Sequence, residues 1–86
     1  MTYYVYLLIT KSSNRLISYV GYTKDLNKRL FLHNKSKGAK FTKGRIWNLI
    51  YSKKYNSKKI AMKQEYKLKK DYNLRNKIKK IYLDNI

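Results

Sequence analysis

Two runs of aromatic and β-branched residues, Tyr3–Ile9 and Leu16–Tyr22, stand on either side of the polar stretch Lys11–Arg15. This constrains the fold more than any other feature of the chain. Such runs favour strands, and Ser12, Ser13 and Asn14 between them favour a turn, so the simplest structure is a β-hairpin. The first run has too few polar positions for an exposed strand. Thr23 or Asp25 then caps a helix reaching about Lys35, with Leu26, Leu30 and His33 at helical spacing. Ser36–Gly44 holds two of the three glycines and reads as a basic loop. A third strand is expected over Ile46–Tyr55, with Trp47, Leu49 and Tyr51 alternating on one face. Ser57 caps a helix from Lys58 to about Asp71. Asn73 starts a last amphipathic helix on which Leu74, Ile78, Ile81 and Tyr82 share a face. The order is ββαβαα, one α+β domain over residues 1–86.

At 86 residues the core stabilises such a domain only modestly, and a hydrophobic content of 43% is enough to build one. The chain has no cysteine, which excludes a disulfide framework and thiolate zinc sites. No apolar run approaches the roughly 20 residues that span a bilayer, and the first residues lack the basic start of a secretory signal. An intracellular, cytoplasmic protein is expected. Its charge is the dominant compositional fact: 22 Lys and Arg against 4 Asp and Glu, a net +18. An AT-rich genome inflates Lys, Asn, Ile and Tyr together, but does not explain the shortage of acids. A polyanionic partner does. Each phosphate neutralised by such a chain steepens the salt dependence of binding by about 0.9 log units per log unit of salt.

Against that background the lone glutamate, Glu65, stands out. Ala61, Glu65 and Leu68 fall on one stripe of the expected helix, which should face the sheet. An inward acid is costly unless a cation meets it, so Glu65 is either a structural ion-pair partner of Arg29 or a lysine, or a ligand for a hard divalent ion. Arg29 and His33 are four residues apart on the first helix and share a face. A lone histidine is often structural, but an arginine beside it offers a fork for a phosphate. Among ten tyrosines, Tyr6 and Tyr19 sit on the adjacent hairpin strands, where their hydroxyls can converge. A tyrosine titrates near pH 10, so its use as a base requires nearby positive charge.

In this order and spacing, Tyr4-Val5-Tyr6, Tyr19-Val20-Gly21, Arg29, His33 and Glu65 resemble the GIY-YIG nuclease superfamily, in its small single-domain branch. Tyr4 replaces the glycine of the first motif, and valine replaces isoleucine in both. The likeness extends through Lys37-Gly38-Ala39-Lys40-Phe41-Thr42, the strand around Trp47, and Ala61 to Lys69, nearly the whole chain. It implies a DNA endonuclease with a three-stranded, largely antiparallel sheet flanked by helices. It also implies roles: Tyr6, Tyr19 or His33 in water activation, Arg29 on the phosphate, and Glu65 binding a single Mg²⁺ or Mn²⁺. Some members carry a lysine just after the second motif, where this chain has Tyr22; Lys24 or Lys40 is then the substitute charge. Lys24, Lys40, Lys43 and Arg45 are the expected nucleic-acid contacts.

The resulting expectation is a metal-dependent endonuclease acting on DNA, duplex, branched or single-stranded, with a partner protein as one source of site choice. The rival is a basic module on a degenerate nuclease fold that grips nucleic acid without cutting. A membrane-active reading rests only on Lys67–Ile86.

Overall fold

The structure, a computed structural model, describes residues 1–85; Ile86, the last residue of the expected domain, lies outside them. Strands β1 (Tyr3–Ser12) and β2 (Arg15–Thr23) form the hairpin, and β3 (Asn48–Tyr55) pairs with the other edge of β1. The sheet order is β2-β1-β3 and both pairings are antiparallel. Helices α1 (Leu26–Asn34), α2 (Lys58–Lys70) and α3 (Tyr72–Asp84) complete an α+β fold in the expected order. Among the described residues, no helix is long and apolar enough to cross a membrane.

The hairpin turn is tighter than the sequence reading drew it. Only Ser13 and Asn14 lie between the paired Ser12 and Arg15, and both have positive φ, 48° and 67°. That is the backbone of a two-residue turn whose twist matches the strands. The ladder therefore runs three residues beyond Ile9.

The third strand is corrected in two respects. It begins at Asn48, because Ile46 and Trp47 still belong to the preceding loop. Its register also shifts: Leu7 faces Tyr51 while Leu8 faces Leu49, leaving Ile50 as an extra residue. This bulge puts Leu49 and Tyr51 on opposite faces of the sheet, so the expected alternation fails after Leu49.

Both faces of β1 are buried. Tyr3, Val5 and Leu7 pack with Val20, Ala61 and Leu68 beneath α2, joined by Ile50, Tyr51 and Ile78. Tyr6 and Leu8 pack on the other side with Trp47, Ile17, Tyr19, Leu26, Leu30 and Leu49. A strand buried on both faces reads as a continuous apolar run, and Tyr3–Ile9 is such a run.

Asp71, not Asn73, starts α3. It closes α2, and its Oδ1 accepts the Leu74 N–H at 3.0 Å. No α3 residue is fully buried, and Ile78 and Tyr82 meet β3 while Leu74 and Ile81 stay exposed. α3 therefore leans on its cap for definition. Replacing Asp71 with Ala should lower stability by about 1 kcal/mol, measured by urea unfolding. Helical circular dichroism should be lost before the β signal.

Candidate active site

Helix α1 is short, so its placement depends on its ends and on two leucines. Asp25 caps it by accepting the Lys28 N–H at 3.1 Å, while Leu26 and Leu30 pack under the sheet. Thr23, the other candidate cap, accepts the Asp25 N–H instead. With the helix fixed, Arg29 and His33 project from one side, and His33 is completely buried.

Tyr6 reaches His33 across 27 residues of chain. Its hydroxyl lies 2.8 Å from His33 Nε2. Gly21 makes this possible, since it is the cross-strand partner of Tyr6 and the phenol lies directly over it. A Cβ at position 21 would overlap the hydroxyl end of that ring. Gly38 does the same for the imidazole, where any side chain would strike His33 Nδ1. Two of the three glycines thus bracket one hydrogen bond.

The far nitrogen of the ring fixes the direction of every proton in the chain. Thr42, also fully buried, donates its hydroxyl to the Ala39 carbonyl at 3.0 Å. Its one proton is then used, so at 2.8 Å it accepts from His33 Nδ1–H. Nε2 is consequently bare and accepts from Tyr6. The charge balance agrees. Burial, and then the Arg29 guanidinium, hold the His33 pKa below its ordinary 6.5, which keeps the ring neutral.

Tyr6 is the reverse case. Burial raises its pKa to about 12; the Arg29 guanidinium beside the hydroxyl opposes the rise by hydrogen bonding and by charge, and Tyr19 and then Glu65 add to it. The hydroxyl's well-formed hydrogen bond goes to His33, and Arg29 Nε is buried with no acceptor. Glu65 belongs to α2, on the opposite side of the sheet, yet its charge is felt at the Tyr6 oxygen. Its side chain is 17% exposed, and its one ion pair among the described residues is a loose 3.9 Å contact with Lys69, which is mostly in water.

Tyr19 packs against the Tyr6–His33 pair. Its ring meets the His33 ring edge-on at 5.1 Å, lies 6.5 Å from Tyr6, and stacks with Phe41 at 6.1 Å. The structure thus gathers Tyr6, Tyr19, Arg29 and His33, with Glu65 within electrostatic reach. It treats the expected nucleic-acid contacts unevenly. Lys40 and Lys43 are exposed on the loop beyond α1, and Arg45 lies over Phe41 at 5.8 Å. Lys24 instead stands over Tyr3, whose side chain belongs to the α2 side of the sheet.

The loop and the end of α1 supply partners that the sequence does not mark as site residues. Besides Thr42, these are Trp47, whose Nε1 donates to the Thr42 carbonyl at 3.0 Å, and Asn34 of α1, which takes both backbone groups of Trp47. The signal available was a threonine in a lysine- and glycine-rich loop nine residues after the lone histidine.

Removing the Thr42 hydroxyl should release the imidazole. Thr42→Val leaves Nδ1–H buried without an acceptor, at a loss of about 1–3 kcal/mol. Imidazole ¹⁵N spectra should show a single Nδ1–H tautomer in the parent and a mixture in the variant, with Thr42→Ser restoring the parent pattern. Stability should also fall at both ends of the pH scale. The unfolded chain takes up a proton at His33 near pH 6.5 while the folded one resists, so stability is full above 6.5 and declines below it. The folded chain keeps the Tyr6 proton to about pH 12 while the unfolded one releases it near 10, so stability declines again as pH rises past 10. Melting curves from pH 5 to 11 check both limbs, and His33→Asn and Tyr6→Phe should each flatten one.

Comparison with known proteins places the chain as a whole. A profile of the GIY-YIG catalytic domain matches residues 2–79. A UPF0213 protein of Staphylococcus epidermidis is 45% identical over 64 residues, 73% of this chain and 77% of that one. A second, from Oceanobacillus iheyensis, is 41% identical over 68 residues, 78% of this chain and 76% of its own. The solution NMR structure of a UPF0213 protein from Bacillus halodurans superposes with a TM-score of 0.52 at 37% identity, covering 96% of this chain and 85% of that one. The chain therefore belongs to the GIY-YIG nuclease family, among its small UPF0213 proteins.

Proposed function

We propose that this protein is a metal-dependent endonuclease that hydrolyses DNA phosphodiesters with an activated water. The observation that carries this reading is the directed chain Tyr6–His33–Thr42–Ala39 beside the Arg29 guanidinium, with the Glu65 charge felt at Tyr6 from α2.

Of the two phenols and the imidazole, Tyr6 and His33 act as a pair. Burial keeps the proton on Tyr6 at neutral pH, so we assign it to pass a proton on and not to begin as a phenolate. It is an exchanger. As water attacks phosphorus, Tyr6 Oη takes the water proton while its own proton moves 2.8 Å to His33 Nε2. The phosphorus–oxygen bond to water forms and the bond to the departing oxygen breaks. The imidazolium left behind is disfavoured by burial and by Arg29, so its proton returns through Tyr6 Oη to solvent water once the product departs. Arg29 has a buried Nε without an acceptor and no carboxylate paired to it among the described residues, which suits a phosphate oxygen. Tyr19 braces the imidazole and Phe41.

The donor set fits a hard divalent ion. A single carboxylate suits Mg²⁺ or Mn²⁺, which keep most of their waters and take one or two protein carboxylates. Glu65 is the residue that would hold it. When bound, such an ion neutralises charge on the phosphate and on the departing oxygen. Lys40, Lys43 and Arg45 supply backbone affinity without reading bases.

The test is cleavage of labelled linear, nicked, flapped and four-way DNA in Mg²⁺ or Mn²⁺. Glu65→Gln should abolish cutting while leaving DNA binding within a few-fold. Arg29→Ala should lower kcat on the order of 10²-fold, with a much smaller change in affinity. Equal nicking by the parent and Glu65→Gln would reject the mechanism, and loss of rate and affinity in step would reduce Arg29 to part of the basic surface.

A further inference from the structure

Helices α2 and α3 meet in an elbow at Asp71, and beside it lies a cleft of about 550 Å³. Its lining is Tyr66, Lys67, Lys70, Asp71, Tyr72 and Asn73, none of which belongs to the Tyr6–His33 site. Tyr66 and Tyr72 are 59% and 63% exposed. Two large rings left in water on one cleft call for an occupant. Each ring carries a cation: Lys70 Nζ stands 5.3 Å from the centre of Tyr66, and the Arg75 guanidinium 5.9 Å from that of Tyr72. Arg75 Nε has no acceptor. The one acid present, Asp71, already uses an oxygen on the Leu74 N–H.

Charge decides which occupant fits. A second copy of this chain would bring another +18 to a lysine-rimmed cleft. A nucleotide meets both halves of the surface, because every base has a π-face for the rings and every phosphate a charge for Lys67, Lys70 and Arg75. In a duplex those base faces are covered by their neighbours. We infer that the elbow is a second nucleic-acid subsite that takes unpaired nucleotides, their bases stacked on Tyr66 and Tyr72. Tyr66 directly follows Glu65 on α2. A strand or flap gripped at the elbow is thus held by the helix that carries the acid of the active site. That link to cutting rests on the proposed nuclease reading, whereas the binding itself does not.

The experiment measures binding of the intact protein, in EDTA, to a 20-nucleotide oligo-dT, an abasic strand of equal length and charge, and a blunt duplex. The parent should prefer oligo-dT to the abasic strand by on the order of tenfold. Tyr66→Ala/Tyr72→Ala should lose that preference and keep its abasic affinity, and Tyr66→Phe/Tyr72→Phe should retain it. Lys67→Ala should weaken all three ligands and lower the salt slope by about one. A parent with no preference overturns the inference. So does a double alanine variant that keeps the preference, or one whose abasic affinity falls equally. Displacement of oligo-dT by poly-glutamate with equal strength from parent and double alanine variant would show that charge alone operates there. Cleavage assays separate the two ideas: a parent that shows the base preference but cuts nothing in Mg²⁺ or Mn²⁺ retains the elbow and loses the nuclease mechanism.

Discussion

The 2.8 Å contact between Tyr6 and His33 is the interaction on which the rest of this molecule is arranged. It joins the central strand to a nine-residue helix that otherwise rests on its Asp25 cap, on Leu26 and Leu30, and on Asn34. Two glycines give up their side chains to make room for it. A threonine at the far side of the ring determines which atom donates and which accepts. Each of these groups is buried, so each polar atom needs a partner, and only one assignment of protons satisfies them all.

Acid placement follows a similar economy. Of four carboxylates, Asp25 and Asp71 cap helices and Asp84 lies exposed near the end of α3. Glu65 alone is half-buried and turned inward. In a chain of +18, further acids near the site would pair with lysines and reduce the positive surface that the proposed nucleic-acid substrate requires. The proposed chemistry asks for one carboxylate, and Glu65 is held only loosely, by Lys69.

Much of this was legible in the sequence, and what was missed has definite causes. The hairpin, the cap at Ser57, a cap at Thr23 or Asp25, and the i, i+4 pair Arg29–His33 follow from local rules acting over a few residues. The β3 register did not, because a bulge at Ile50 depends on how Leu7 and Leu8 are paired across the sheet and leaves no mark in the alternation itself. α3 starts two residues earlier than Asn73 because Asp71 serves two helices at once. Thr42 was invisible as a site residue, since its role comes from a loop that folds back over His33. Nor does spacing say that Glu65 acts on Tyr6 from the opposite side of the sheet.

The segment between α1 and β3 has no helix or strand of its own, and Trp47 is its one large buried anchor. It hangs largely on polar hooks: Asn34 on Trp47, the indole on Thr42, Thr10 on Ile46, and Ser36 on Gly44. Hydrogen bonds of this kind open locally at lower free energy than a sheet buried on both faces. The domain therefore contains a weak joint over its own proton path. A chaotrope, or a rise in temperature, would scramble the donor order around His33 while the three strands were still intact, so an ordered proton path and foldedness are separable properties of this chain.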